Sequence, residues 1–313
     1  MTVSGAAAGI GAGRGSVGRV RNFTGRFLAR GDGVVGLVIL LLFSALALAP
    51  DLFVGPLENV TTATGLPLQA PDLTHLFGTD ELGRDILNLT VHGARISMTI
   101  GLMATLITIV LGAVVGIVSG FAGGTPDALL MRLSDFFLVL PTVVLAIILA
   151  PVVLDVIGAN AEFLGIRATL LVIVIVIGLT SWATTARVIR SQVLSLKERM
   201  FVDRSRVIGS GPLWIMRRHI LPNVINLIVA QAVLTFATAV FTETTLAFIG
   251  LGDPSAPSWG QVLNAAQSAG APGLGAWWYI APPAVCVVLV VLSFTLVGNA
   301  LDDVLNPKSG ARR

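Results

Sequence analysis

Residues 203–223 read DRSRVIGSGPLWIMRRHILPN, with Asp203, Arg204, Arg206, Arg217 and Arg218 flanking a centre that holds Gly209 and Gly211. The stretch lies between two of the most apolar parts of a 313-residue chain that is 55% hydrophobic and 12% charged. That composition is not one of a soluble domain. LLVIVIVIGL at 170–179 alone favours insertion into a bilayer by about 3–6 kcal/mol, at roughly 0.3–0.6 kcal/mol per central aliphatic residue. A basic, glycine-hinged insert in such a chain needs a task of its own. Phe201 to Ile208 reads as a short helix, Gly209 and Gly211 permit a sharp turn, and Pro212 opens a second helix through Trp214, Ile215 and Arg218. Pro222 is expected to break this helix from the apolar run that follows. The product is a helical hairpin with an apolar side (Phe201, Val202, Ile208, Trp214, Ile215) and a basic side. An ordinary loop that follows the charge bias of membrane proteins explains the arginines but not the spacing of the hinge.

Outward from the insert, apolar runs of spanning length recur at 34–49, 97–121, 129–153, 168–183, 224–249 and 278–300. A helix rises about 1.5 Å per residue against a hydrocarbon core of roughly 30 Å, so four of the six are long enough and the first and fourth are short. The fourth is expected to stay helical past Trp182, whose ring suits the membrane interface, and to carry Arg187 and Arg190 out of the lipid. The fold class is therefore an all-α integral membrane protein with six transmembrane helices. Thirty-four glycines and few aromatics fit close helix packing and not a β-barrel with aromatic girdles. Ala104, Thr108, Gly112, Gly116 and Gly120 recur at four-residue intervals, a small-residue stripe for the approach of another helix. The single cysteine, Cys286, lies in an apolar run and reads as a core residue.

Orientation follows from the basic residues. With a cytoplasmic N-terminus, 17 of the 20 lysines and arginines fall inside, leaving Arg84, Arg95 and Arg167 outside. Both termini and the insert are then cytoplasmic. Residues 1–33 read as a flexible basic tail and 34–49 as a retained first transmembrane helix. The A-x-A spacing of Ala45, Ala47 and Ala49 also resembles a signal-peptide cleavage site. Residues 50–96 form the largest extracytoplasmic segment, 97–307 the transmembrane core with a cytoplasmic loop at 184–222, and 308–313 a short tail.

The chain offers little for chemistry of its own. No HExxH or GxSxG occurs, and the three histidines (His75, His92, His219) are far apart and read as surface or interfacial loop residues. GLGD at 250–253 resembles the glycine-aspartate motif of intramembrane aspartyl proteases, but those need a second membrane aspartate beside a tyrosine, and the only tyrosine is Tyr279. A passive channel shares the periodicity but gives the hinge no task. No Walker motif exists, because Lys197 precedes Glu198 and Lys308 follows Pro307. The reading gives this chain no catalytic, cofactor or metal residue, so ATP-driven work must come from another polypeptide. Two membrane carboxylates remain as candidates for a translocation pathway or gate. Asp135 lies a turn beyond Arg132, and an i,i+3 pair is the plainer explanation. Glu243 sits inside the fifth span, where an acid costs up to about 3 kcal/mol near mid-bilayer. It either lines a water-filled route or bonds to a neighbouring helix, with Thr242 and Thr244 beside it.

The hinge spacing resembles the cytoplasmic motif of ABC importer permeases: Glu-Ala-Ala, three residues, Gly, nine residues, then Ile-x-Leu-Pro. Here Asp203-Arg204-Ser205 precedes Gly209, and His219-Ile220-Leu221-Pro222 closes the motif. Glycine, leucine and proline match in register, whereas the opening triplet and His219 depart. LFGTDELGRDILNLTVHGARISMTIGL (76–102), WATTARVIRSQVLSLKERMFV (182–202), FIGLGDPSAPSWGQVL (248–263) and LVGNALDDVLNP (296–307) resemble the dipeptide/oligopeptide (DppC/OppC-like) branch, with Asn299 where an aspartate is usual. The resemblance covers about residues 34–307 and implies the type I ABC importer permease fold. It implies that the hairpin is a coupling helix, docked in a groove of a cytoplasmic ATPase and moved as a rigid body when the ATPases close. Asp203, Arg204, Ser205, Gly209, Gly211, Leu221 and Pro222 would carry that coupling, with Pro222 stiffening the link into the fifth span. It also implies a homologous second permease subunit, two ATPase subunits that bind ATP and Mg, an extracytoplasmic substrate-binding protein, surrounding lipid and no nucleic acid. Asp80, Arg84, Asp85 and Trp259 are then candidates for external contacts, against the plainer reading of turn structure. Related permeases carry nickel and other small solutes, but no cluster of histidine or cysteine marks a metal path, so peptides lead as cargo.

Overall fold

A computed structural model describes residues 27–158, 161–163 and 166–305 of the chain. The tail expected at 308–313 and most of the one expected at 1–33 lie outside the described residues. Gly31–Leu48, in which Asp32 is the only charge, forms α1, and Asp51–Val54 forms the single turn α2. Residues 55–85 then cross one end of the bundle. Asp85 stops that crossing by accepting the N–H of Leu87 at 2.7 Å, and from this cap α3 runs from Ile86 to Ala122. The helix therefore opens well before residue 97, because an N-cap sets its start and not the onset of the apolar run.

Gly123 and Gly124, at φ +67 and +56, turn the chain into α4, Gly124–Val139. The span expected at 129–153 is bent. Leu140 is extended (φ −76, ψ 120) before Pro141, and α5, Thr142–Ile157, leaves α4 at 92°. A proline disfavours the helical region for the residue before it, so the break falls at Leu140. Among the described residues five helices are long and apolar enough to cross a membrane, and the bent pair makes a sixth if it is one span. A two-residue antiparallel ladder, β1 (Glu162–Phe163) and β2 (Ile166–Arg167), leads into α6, Ala168–Lys197. Trp182 within α6 is buried, edge-on to Phe137 of α4 with ring centroids 5.6 Å apart.

α7 (Met200–Val207) and α8 (Pro212–Ile215) form the hairpin. A π-helical turn at Met216–Ile220 then joins α8 to α9 (Leu221–Leu246), and a second one follows at Ala247–Leu251. Pro222 consequently does not break the chain, and Pro212–Leu251 is one 40-residue span. In the wide turn the Leu221 N–H reaches the Met216 carbonyl, and the Asn223 side-chain amide donates to the His219 carbonyl at 2.6 Å. The π-turn thus accommodates the N–H that Pro222 lacks. The helix α10 (Trp259–Ser268) lies between this span and α11, Trp277–Leu305.

The bundle is held by close approach along the small-residue stripe. A Cβ at Gly116 would lie 2.6 Å from the Ala186 carbonyl oxygen, and one at Gly120 would lie 2.8 Å from Val193 Cβ, so α3 and α6 meet backbone to backbone. α1 packs on α11 in the same way, with Gly36 against the Ser293 carbonyl, and Arg30 pairs with Asp303 at 2.5 Å. Cys286 is half-buried beside a core that includes Phe43, Phe236 and Trp259.

Candidate functional site

Two ends of the bundle carry polar constellations: the hairpin end and the end crossed by residues 55–85 and 252–276. At the hairpin, Val202 and Ile215 are buried against Ile189, Val193 and Val224 of the spans. The Ser205 hydroxyl donates to the Phe201 carbonyl at 2.9 Å, and the Ser205 carbonyl accepts the Ser210 N–H at 2.9 Å, which folds the tip back. Gly209 takes φ +87 with nothing near the place of a Cβ, so the backbone conformation alone requires glycine there. Gly211 is extended at φ −68 and ψ 155, open to any residue; the turn has one hinge, not two. Asp203 pairs with Arg206 at 3.2 Å on the exposed surface, and the Arg206 guanidinium also lies 5.6 Å from the Phe121 ring of α3. An exposed pair of this kind contributes only about 0.2–1 kcal/mol. His219, which departs from the family motif, places its ring between Phe201 and Trp214, at 5.7 and 5.2 Å. Leu221 and Pro222 are exposed where α9 begins.

The apolar side of the hairpin is split. Ile208 and Trp214, expected beside Val202 and Ile215, are instead 83% and 51% exposed. Together with Val207 and Leu213 they form an apolar tip beside an open groove of about 590 Å³ lined by Leu213, Trp214, Arg217 and Arg218. An exposed apolar surface rimmed by cations is the usual form of a protein contact.

At the opposite end two of the candidates for external contact, Asp80 and Trp259, turn inward, while Arg84 and Asp85 stay partly exposed. Asp80 is fully buried and accepts the N–H groups of Leu82 and Arg84 at 2.9 and 2.8 Å and Arg84 Nε at 2.7 Å. Asp85 caps α3 while its N–H donates to Glu58 at 2.8 Å; burial holds its carboxyl above the usual range, against the Leu87 N–H and helped by the charge of Glu58. Trp259 is fully buried, gives its indole N–H to the Thr90 carbonyl at 2.9 Å and its backbone N–H to the Ser97 hydroxyl at 3.2 Å. Asp80 and Trp259 thus have no surface to offer a partner, because each satisfies backbone groups inside the loop end. Asp253 anchors the segment after the second π-turn. Its carboxylate accepts Thr169 Oγ1 at 2.8 Å and Ser255 N at 2.9 Å, with Arg167 of β2 at 3.4 Å. An aspartate before Pro254-Ser255 signals such a local turn, although its bond to Thr169 is not readable from the chain.

Mid-bundle, Glu243 is fully buried, with one carboxyl oxygen left without a partner among the described residues. The hydroxyls of Ser97 and Ser258 face it, and Thr244 lies at 3.5 Å. Both serine oxygens accept backbone N–H groups, from Trp259 and Gln261, which leaves their protons to point at the carboxyl group. Asp135 pairs with Arg187 of α6 and not with Arg132, and both side chains are at least half exposed. His75 and His92 are buried and not at the surface; His92 is within α3, its Nε2 3.0 Å from the Gly55 carbonyl. Among the described residues no three His, Cys, Asp or Glu side chains are grouped to hold a metal ion.

A family profile described as binding-protein-dependent transport system inner membrane component matches residues 112–310. The oligopeptide transport system permease protein OppC of Bacillus subtilis (strain 168) is 34% identical over 285 residues, 90% of this chain and 88% of that protein. The dipeptide transport system permease protein DppC of the same organism is 35% identical over 282 residues, 88% of this chain and 81% of its own length. Among solved structures, the fold resembles a chain of the MetNI methionine ABC transporter in an inward-facing conformation, with a TM-score of 0.55 and 18% identity over 69% of this chain and 96% of that one.

Proposed function

The chain belongs to the binding-protein-dependent transport system inner membrane component family, and from that premise we propose that it is the permease subunit of an ATP-driven importer of dipeptides and oligopeptides. Its place is the cytoplasmic membrane, with the 200–219 hairpin on the cytoplasmic side and the Asp80–Asp85 and Asp253–Trp259 segments outside. ATP and Mg act on two separate ATPase subunits; a homologous permease and an extracytoplasmic binding protein complete the assembly. The cargo reading rests on the permeases for oligopeptides and dipeptides that are similar over about nine-tenths of the chain.

One observation carries the mechanism: an exposed hairpin continues through an unbroken helical turn into a 40-residue span. The tip at Ile208 and Trp214 docks in the ATPase, Gly209 sets the turn, and Val202 and Ile215, with Phe201, pack the hairpin against α3 and α6. A push on the tip is delivered through the Met216–Ile220 turn into α9, so the spans around the route rock between inward- and outward-open states. No chemical step occurs on this chain. The test is ATP hydrolysis by the reconstituted assembly with its binding protein, with and without a dipeptide mixture. Stimulation by peptide supports both coupling and cargo. Hydrolysis that depends on the binding protein but ignores peptides removes the cargo, and failure to assemble with any ATPase removes the function.

A further inference from the structure

Halfway along the bundle, an open groove of about 370 Å³ lies between α6, α9 and the break that separates α4 from α5. The accessible part of its polar wall includes Ser181 and Thr184 of α6, Gln231, Thr235 and Thr238 of α9, and Thr142 at the break; among the described residues no charged one lines it. None of these side chains is buried. Ser181, Thr184, Gln231 and Thr235 make no side-chain hydrogen bond among the described residues. The Thr238 hydroxyl donates to the Thr235 carbonyl at 2.8 Å, so its oxygen presents only lone pairs to the groove.

Unpaired amide and hydroxyl groups are costly against hydrocarbon. A wall with several of them at the middle of membrane-spanning helices therefore faces water or a polar molecule. The chemistry of the wall limits which molecule. Gln231 offers both a donor and an acceptor, the unpaired hydroxyls offer either, and Thr238 offers an acceptor only. That alternation suits a peptide main chain, whose N–H and C=O groups also alternate. A metal cation would instead call for carboxylate or imidazole ligands, and the wall has neither. Weak neutral contacts spread along a groove let a solute enter and also leave.

We propose that this groove is one wall of the cargo route and that it holds the peptide backbone through Gln231, Thr235 and Thr238, indifferent to side chains because it carries no charge. The proposal rests on the peptide-importer reading and adds the residues that meet the cargo. Neither carboxylate singled out from the sequence lies on this wall: Glu243 is enclosed among serines, and Asp135 is paired with Arg187.

The test uses the complete importer in proteoliposomes. Thr238 is exposed, so Thr238→Asp should fold, and it puts a negative charge on the wall. The readout is the uptake ratio of labelled Lys-Lys to labelled Asp-Asp, compared with wild type and so corrected for the preference of the binding protein. The expected result is a rise of about fivefold or more; an unchanged ratio overturns the proposal. In parallel, Gln231→Leu combined with Thr235→Val should lower dialanine uptake by about tenfold while ATP hydrolysis stimulated by the binding protein persists. Normal uptake by this double variant also overturns it. If the double variant no longer assembles with the second permease, the wall is a subunit interface, and an unchanged Thr238→Asp ratio would establish that. Should wild type assemble, hydrolyse ATP and take up no peptide, the cargo assignment fails and the peptide-holding role of the groove falls with it, whereas an unchanged ratio with normal uptake overturns the groove alone.

Discussion

Trp259 and Thr90, 169 residues apart in the chain, are joined by an indole N–H to carbonyl bond of 2.9 Å. The same tryptophan meets Phe43 edge-on at 5.7 Å, so one side chain joins α1, α3 and α10. Trp259→Phe keeps a ring but leaves the Thr90 carbonyl without its donor in a buried site. A loss of about 1–3 kcal/mol is expected, read as a lower unfolding midpoint in detergent, with the family of hairpin contacts untouched. An unchanged midpoint would mean that water replaces the bond.

Gly116→Ala adds one methyl group where α3 touches the Ala186 carbonyl. Backbone cannot yield as a flexible side chain does, so overpacking should destabilise by about 1–3 kcal/mol. Gly211→Ala meets nothing within 4 Å and serves as the neutral comparison. Equal unfolding midpoints for the two variants would contradict the close approach.

At the hairpin, Gly209→Ala forces a side chain into the left-handed region, at about 1–2 kcal/mol. Ile208→Glu leaves the fold alone, because the side chain is 83% exposed, but should weaken ATPase binding at least tenfold. Co-purification of the ATPase with the permease reads both. Normal assembly by Ile208→Glu would remove the tip from the interface.

Asp253 gives a pH dependence. Burial raises its carboxyl, but the Ser255 hydroxyl and N–H, Thr169 and Arg167 outweigh that and hold it below the usual range. A depressed folded value means that the anchor contributes fully above the ordinary aspartate value and is lost as pH falls through the lowered one. Wild type should therefore exceed Asp253→Asn in stability by about 1–2 kcal/mol at neutral pH, with the gap closing on acidification below about pH 4. A gap that does not change between pH 7 and pH 3 would assign the effect to shape and not to charge.

The spans were legible because hydropathy is local, and the stripe through Gly112, Gly116 and Gly120 was legible because helix geometry repeats. The bend at Leu140 was readable in Pro141 but hidden by the apolar run around it. The π-turn at Met216–Ile220 was not: nothing in MRRHI separates it from an α-helix, so Pro222 suggested a break. Glu243 was visible as an oddity, yet its partners Ser97 and Ser258 lie on remote segments, and only the fold brings them together. The polar groove did leave a trace. Gln231, Thr235, Thr238, Thr242 and Thr245 recur at intervals of three and four, a polar helical face within an apolar run.

The span from Pro212 to Leu251 has a mechanical consequence. At about 1.5 Å per residue, its 40 residues make a shaft of roughly 60 Å. A tilt of about 5° about one end swings the other through roughly 5 Å, close to the spacing of one helical turn. Such a lever needs no chain of side-chain relays. Its gain is set by length, and its backbone leaves regular α-helix only near its two ends, at the Met216–Ile220 turn and at Ala247–Leu251, where Gly250 takes φ +94.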